Sequence, residues 1–232
     1  MQGRTILVIG ASSGIGLQIA SQLVAEGARV ISASRTEPNI DGLEHHHLDV
    51  TSNNPDFSFI PEVLDGLVYC PGTINLKPFN RLGIEDFQFD LEVNVLGAVK
   101  VLQAAHKSLK KASNASVVLF STVAAKLGMN FHSSIATSKG AIEGLGKSLA
   151  AEWSMHGIRV NILAPSLTDT PLAEKLLSTE ERKEASNKRH PIGRFGNPSD
   201  LSEIALFLLN DKSGWITGQV IGVDGGVGSL KP

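Results

Sequence analysis

The feature of the sequence that most restricts the fold is a short apolar run that ends in a cluster of glycines. Ile6 to Ile9 are all apolar, and the segment Gly10-Ala11-Ser12-Ser13-Gly14-Ile15-Gly16 follows directly. A continuous apolar run is typical of a strand that is covered on both faces, as in a parallel sheet. Apolar residues then recur at helical spacing from Ile15 through Leu23 until Gly27, which predicts an amphipathic helix with a glycine stop.

This strand, turn and helix together predict a site for the diphosphate of a dinucleotide. Gly10 permits a tight turn, Gly14 lets the backbone approach the phosphates, and Gly16 lets the helix pack closely on the strand. The start of the helix adds free N–H groups and the positive end of its dipole. The other binding residues expected in the turn are Ser12, Ser13 and Ile15. A glycine triplet alone also fits a flexible turn, but the strand and helix around it favour the binding site.

Strands and helices alternate along the rest of the chain. We predict further strands at residues 28–33, 44–50, 67–70, 116–120, 158–163 and 219–223, and helices at 84–110, 133–156 and 199–209. This alternation is typical of helices wound on both faces of a parallel sheet. The expected fold class is therefore α/β, a doubly wound parallel sheet of the Rossmann type, in a single domain spanning residues 1–232.

Composition limits the partners and the compartment. A net charge of −2 leaves no basic surface for nucleic acid or an anionic membrane. Cys70 is the single cysteine, which rules out an internal disulfide and fits a reducing compartment. The first apolar run is too short for a signal peptide or a membrane span, so we expect a cytoplasmic protein. His45 and His47 share one face of a predicted strand, but no cysteine or carboxylate cluster joins them, so we expect no metal site.

Further motifs, in order along the chain, give the sequence a resemblance to the short-chain dehydrogenase/reductase family. The matching segments are residues 9–16, 69–72, 93–97, 120–124, 135–145, 149–152, 159–165 and 216–226. The resemblance runs almost from end to end. It implies a nicotinamide cofactor and a small-molecule substrate that carries a carbonyl or an alcohol.

The resemblance implies a catalytic group made of Lys139, Thr122, Asn94 and Ser121. In the family, a tyrosine one helical turn before the lysine gives the proton for carbonyl reduction, and the lysine lowers the pKa of that tyrosine. The asparagine helps to hold water near the lysine. In this chain the tyrosine position holds Ile135, which has no proton to give.

Other groups could supply the missing proton. The single tyrosine, Tyr69, belongs to a different motif, and its spacing does not bring it to the acid's place. The alternative donors are Thr122, His132, Ser133, Ser134 and Lys139 itself. Loss of a positioned acid typically costs about a hundredfold to ten-thousandfold in rate. Two functions therefore stay open: an oxidoreductase with an atypical site, or a cofactor-binding sensor or structural partner with little or no turnover.

The end of the second strand bears on the choice of dinucleotide. An acidic residue there would bind the ribose hydroxyls of NAD, but the chain has Ser34 followed by Arg35. A guanidinium can bind a 2′-phosphate, so we favour NADP(H), with NAD(H) as the second candidate. By resemblance, Asp49 and Val50 lie at the adenine, although Asp49 could equally cap the residues after it. The remaining implied cofactor contacts are Gly72, Lys139, Pro165, Thr168 and Thr170.

Three expectations about shape follow from the resemblance. Residues 169–195 lie where the family has a lid over the substrate, although a solvated helix explains their charge equally well. The helices at 84–110 and 133–156 correspond to those that build family tetramers, so we expect a homo-oligomer, a tetramer or a dimer. Short links join Arg35 to Leu48 and Asp49 to Leu67, so helices usual in the family should be absent beside the adenine.

Overall fold

The computed structural model, which describes residues 1–231, contains a seven-stranded sheet in which every neighbouring pair is parallel. The strands are β1 (Thr5–Ile9), β2 (Arg29–Ser34), β3 (Glu44–His47), β4 (Gly66–Tyr69), β5 (Ser116–Phe120), β6 (Arg159–Pro165) and β7 (Val220–Val223). Their order is β3-β2-β1-β4-β5-β6-β7, so the direction of winding reverses between β1 and β4. The predicted doubly wound α/β fold is confirmed.

Residues 1–231 form six α-helices. They are α1 (Gly14–Ala25), α2 (Ile84–Leu91), α3 (Gly97–Leu109), α4 (Ser133–Trp153), α5 (Glu180–Arg189) and α6 (Pro198–Leu209). Helices α1 and α6 pack on one face of this sheet, and α3 and α4 pack on the other. Leu7 and Ile9 of β1 join the core under α3 and α4, whereas Ile6 and Val8 join the core under α1 and α6. Because successive strand residues face opposite ways, burial on both faces explains the unbroken apolar run of β1.

The structure corrects the single helix predicted at residues 84–110. A π-helical turn, Glu92–Leu96, separates α2 from α3. The Tyr69 hydroxyl donates a hydrogen bond to the Val93 carbonyl at 2.6 Å, which supplies a partner to this irregular backbone. Gly97 makes room for that hydroxyl, because a Cβ at residue 97 would collide with it. A residue far away in sequence therefore contacts and stabilises the interruption.

The third strand is shorter than predicted, since it ends at His47 rather than at residue 50. Its neighbour β2 ends at Ser34, so the chain beyond Leu48 has no strand to pair with. The carboxylate of Asp49 then accepts hydrogen bonds from the backbone and hydroxyl of Thr51, which turns the chain.

The chain crosses the sheet between β2 and β4 without forming a helix, as predicted from its short links. Residues 35–43 and 48–65 contain no helical segment. Phe57, Phe59 and Ile60 pack against the core where a crossover helix would otherwise lie. Among residues 1–231, no helix has both the length and the apolar character needed to cross a membrane.

Candidate functional site

The glycine turn between β1 and α1 forms a cradle in the backbone. Gly10 and Gly14 have φ values of +82° and +56°, a left-handed conformation that favours glycine. A Cβ at Gly16 would collide with the Gly10 carbonyl oxygen, so close packing of the helix on the turn requires glycine. Ser13, the residue before α1, makes no capping hydrogen bond with its side chain within the described chain. The start of α1 therefore keeps N–H groups that can bind a diphosphate.

The loop after β6 closes over this turn. Thr170 packs against Gly14, where an added Cβ would lie 3.1 Å from the Thr170 Cγ2. The Thr170 hydroxyl donates to the Thr168 carbonyl at 3.4 Å, and Thr168 donates to the Ser166 carbonyl at 3.1 Å. Two segments far apart in sequence, both predicted to hold the cofactor, therefore meet.

A central cavity of about 830 Å³ opens between the carboxyl ends of the strands and α5. Eight of the predicted site residues line it: Ile15, Gly72, Ser121, Thr122, Lys139, Pro165, Thr168 and Thr170. The other predicted residues lie outside its lining: Gly10, Ser12, Ser13, Gly14, Gly16, Ser34, Arg35, Asp49, Val50 and Asn94. Three of the four catalytic candidates thus share one cavity with the nicotinamide-side candidates, whereas most residues predicted for the diphosphate and adenosine extend away from it.

Lys139 lies at the floor of the central cavity with only 8% of its surface exposed. Its ammonium group donates a hydrogen bond to the carbonyl of Phe120, at the end of β5, at 2.9 Å. Burial lowers the pKa of Lys139 to about 8, although the charge of Asp90 opposes this change. Burial also raises the pKa of the neighbouring Cys70 thiol to about 12, so the thiol stays protonated near neutral pH.

Gly72 leaves an opening that joins Asn94 to Lys139. A Cβ at residue 72 would lie 3.4 Å from Asn94 Oδ1 and 3.5 Å from Lys139 Nζ. Asn94 is 1% exposed, and its Oδ1 has no hydrogen-bond partner in the described chain. A buried, unpaired acceptor beside a cation suits a bound water or ligand hydroxyl. The residues therefore fit the nicotinamide ribose that the fold implies.

A buried carboxylate, Asp90, holds Asn94 and the start of α4 in place. Its two oxygens accept hydrogen bonds from the hydroxyls of Thr73 and Ser134, each at 2.5 Å. The Asn94 amide donates to the Thr73 hydroxyl at 2.9 Å and to the Asp90 carbonyl at 2.8 Å. Asp90 has no exposed surface. This network fixes the side chains around the opening at Gly72.

The two hydroxyl residues after β5 have different roles in the structure. The Ser121 hydroxyl donates a hydrogen bond to the carboxylate of Glu143 at 2.9 Å, and its oxygen also lies 3.3 Å from the Lys139 carbonyl oxygen. The Thr122 oxygen accepts a hydrogen bond from the Ala124 N–H at 3.3 Å, which leaves its own proton free to donate. Thr122 is therefore the better placed of the two to polarise a carbonyl in the central cavity.

Ile135 lines the central cavity one helical turn before Lys139, with 5% of its surface exposed. Among the alternative donors, Ser134 donates a hydrogen bond to the Asp90 carboxylate and is 1% exposed, so it faces away from the cavity. His132 does line the cavity, and its Nδ1 lies 2.6 Å from the Asn130 carbonyl. A carbonyl can only accept, so Nδ1 carries the proton in a neutral ring and Nε2 is the acceptor.

Tyr69 is not available as the missing acid. Its hydroxyl is bound to Val93, its ring lies in the core under α3 and α4, and burial raises the pKa of its phenol. This agrees with its sequence spacing, which does not bring it to the place of the acid.

The adenosine end of the predicted site carries one free cation. The Ser34 hydroxyl donates to the Thr36 carbonyl at 2.8 Å, so it stabilises the turn after β2. Arg35 is exposed, and its guanidinium makes no hydrogen bond or ion pair with residues 1–231. Hydrogen bonds from Thr51 lower the pKa of Asp49, and the charge of Arg35 adds a smaller effect. The structure thus shows the capping role of Asp49. Residues 1–231 contain no group of three side chains that could hold a metal ion.

Four further candidates for the site are not among the residues predicted from the sequence. Asp90 lies four residues before Asn94, and Glu143 four residues after Lys139, so each is one helical turn from a predicted catalytic residue. Arg182 and Arg189 of α5 both line the central cavity. Asp90 and Glu143 could have been predicted from their helical spacing to Asn94 and Lys139.

The chain is similar to known proteins over nearly its whole length. Residues 10–228 match the family model described as Enoyl-(Acyl carrier protein) reductase. The 3-oxoacyl-(acyl-carrier-protein) reductase of Thermotoga maritima is 33% identical over 98% of this chain and 98% of its own length.

Two solved structures of similar proteins share the fold over nearly their whole length. The ligand-free aldohexose dehydrogenase of Thermoplasma acidophilum superposes with a TM-score of 0.93 at 28% identity, over 100% of this chain and 96% of that one. A gluconate 5-dehydrogenase from Burkholderia cenocepacia, in complex with NADP and tartrate, gives 0.91 at 27% identity, over 100% and 97%.

Proposed function

The chain belongs to the short-chain dehydrogenase/reductase family, and we propose that it transfers a hydride between NADP(H) and a carbonyl or alcohol substrate in an atypical active site. The observation that carries this proposal is the central cavity, in which Lys139 and Thr122 lie beside the loop that closes over the glycine turn. The similar gluconate 5-dehydrogenase binds NADP.

The chain's own residues would hold the cofactor at three places. The turn from Gly10 to Gly16 binds the diphosphate with backbone amides, and Arg35 binds the 2′-phosphate. Lys139 and Asn94 bind the nicotinamide ribose, since both meet the opening at Gly72. When bound, the nicotinamide supplies or accepts the hydride. Pro165, Thr168 and Thr170 shape the walls around it, and Val50 lies at the adenine side.

Because the family's tyrosine is replaced by Ile135, Lys139 is the proton donor for carbonyl reduction in this proposal. A group with a pKa of about 8 holds a proton at neutral pH and can release it to a developing alkoxide, directly or through a water. Thr122 donates a hydrogen bond to the substrate oxygen and so stabilises the charge that develops there. Residues 169–195, which include α5, act as a lid that excludes water from this chemistry.

The experiment combines cofactor titration with turnover. NADPH fluorescence is titrated with the purified chain, and a panel of ketones, aldehydes and oxo acids is then assayed for NADPH oxidation. We expect NADPH to bind more tightly than NADH, and we expect slow turnover that Lys139→Met abolishes. If neither reduced dinucleotide binds, the proposal is wrong.

Ile135 supports a second candidate function, a cofactor-binding sensor or structural partner with little turnover. An aliphatic side chain in the place of the acid removes the group that the family uses to deliver the proton. The retained Lys139 can still bind the nicotinamide ribose. In that case NADPH binds and no carbonyl substrate is reduced. The same titration and panel separate the two candidates.

A further inference from the structure

We propose that the substrate of this site carries a negatively charged group, a carboxylate or a phosphate, which Arg182 and Arg189 of α5 bind across the mouth of the central cavity. The proposal rests on the proposed function, because it names the chemical class of the substrate for that same site. It does not involve the cofactor residues described above.

The first observation is the face that α5 turns toward the cavity. The residues of α5 that line it are Arg182, Ala185, Ser186 and Arg189. Their spacing of three, four and seven residues places them on one side of a helix. The two arginines are separated by two turns, about 10 Å along the axis. Ala185 and Ser186 are small, so they leave space between the two guanidinium groups.

The second observation is the charge of the cavity wall. The ionised side chains that line it are Lys139, Arg182 and Arg189, and no aspartate or glutamate of residues 1–231 belongs to the lining. The chain as a whole has a net charge of −2. A cavity with only positive charges, in a protein with an excess of negative ones, attracts an anion and repels a cation.

The third observation is that these arginines are available. Of the four basic residues of α5, Lys183 pairs with Glu180 and Lys188 pairs with Glu184 on the same helix. Arg182 and Arg189 form no ion pair within the described chain. Arg182 uses one terminal nitrogen, Nη1, to donate to the Lys175 carbonyl at 2.6 Å and to the Ser178 hydroxyl at 2.8 Å. That anchorage fixes its position and leaves its second terminal nitrogen free to bind a ligand.

Two other roles for these arginines make different predictions. Basic residues in the last turn of a helix stabilise its dipole, and both Lys188 and Arg189 lie there. A dipole role therefore predicts that the two residues behave alike. Alternatively, the arginines could bind the diphosphate of the cofactor, which predicts a loss of NADPH affinity when they are replaced.

The experiment compares oxo acids with their uncharged amides. The probes are pairs with the same carbon skeleton, from 2-oxobutanoate and 2-oxobutanamide to 5-oxohexanoate and its amide. Binding to the chain saturated with NADPH is measured by the change in NADPH fluorescence, alongside NADPH oxidation. The variants are Arg182→Met and Arg189→Met, and Lys188→Met is the matched control. Thermal unfolding verifies that each variant is folded.

We expect the unaltered chain to bind at least one oxo acid about tenfold to hundredfold more tightly than its amide, as charged hydrogen bonds allow. Arg189→Met and Arg182→Met should remove most of that preference, whereas Lys188→Met should keep it. The NADPH affinity should be the same in all three variants as in the unaltered chain. The proposal is overturned if acids and amides bind alike or not at all, if Lys188→Met has the same effect, or if NADPH affinity falls with the arginine variants. If the oxo acids bind as expected but are never reduced, the proposed anion site is supported and the proposed oxidoreductase activity is wrong.

Discussion

Restoring a phenol at the vacant acid position is the strongest test of the catalytic account. In the variant Ile135→Tyr, the new side chain replaces one that lines the central cavity one helical turn before Lys139. The open cavity of about 830 Å³ accepts the larger ring without displacing the core. The hydroxyl then lies within the influence of the Lys139 ammonium, which lowers the pKa of a phenol from its ordinary value of about 10.

The expected gain follows from the value of a positioned acid. General acid catalysis contributes about a hundredfold to ten-thousandfold, which corresponds to about 2.7–5.4 kcal/mol of activation free energy. The single-turnover rate constant for NADPH-dependent reduction by Ile135→Tyr should rise by that factor over the unaltered chain. Ile135→Phe provides the matched control, because it adds the ring without the hydroxyl.

The assay is single-turnover reduction at saturating NADPH, followed at pH 7 on whichever carbonyl compound the unaltered chain turns over or binds. NADPH affinity is measured for all three proteins. Equal rates for Ile135→Tyr and Ile135→Phe, with cofactor binding retained, would refute the assignment of this position to the proton donor.

Three other predictions concern charge and stability. Reduction by the unaltered chain should slow about tenfold per pH unit above pH 8, because Lys139 loses the proton that it delivers; a rate that is constant to pH 10 contradicts this role. Replacement of Arg35 by methionine should weaken NADPH binding about tenfold to hundredfold and leave NADH binding unchanged in the same titration. Asp90→Ala should lower the free energy of unfolding by about 3 kcal/mol in urea denaturation, because the hydroxyls of Thr73 and Ser134 lose their buried acceptor; a wild-type value would contradict that network.

The parts of the fold that local sequence determines could be predicted. The apolar run of β1 and the spacing of apolar residues in α1 reflect burial in their own segments, so pattern alone identified both. Gly27 stops α1 as expected, with a φ of +78°. The π-helical turn could not be found this way, because its contact with Tyr69 forms only once β4 and the helix are packed together.

The same distinction applies to the site. Lys139, Thr122 and Asn94 were found because they stand in motifs, and the structure gathers them around one cavity and its opening at Gly72. Asp90 and Arg189 stand in no motif. Their importance comes from tertiary neighbours: two hydroxyls from other segments in one case, and a cavity wall without carboxylates in the other.

From the helix-free crossovers beside β2 and β3 we expect this end of the molecule to be less rigid than the rest of the sheet. Residues 35–43 and 48–65 have few internal backbone hydrogen bonds, so this end can open locally while the rest of the sheet stays folded. A dinucleotide whose adenosine rests there would order these loops as it binds. Part of its binding energy would then be spent on local ordering, and amide hydrogen exchange at this end should slow most when NADPH is added.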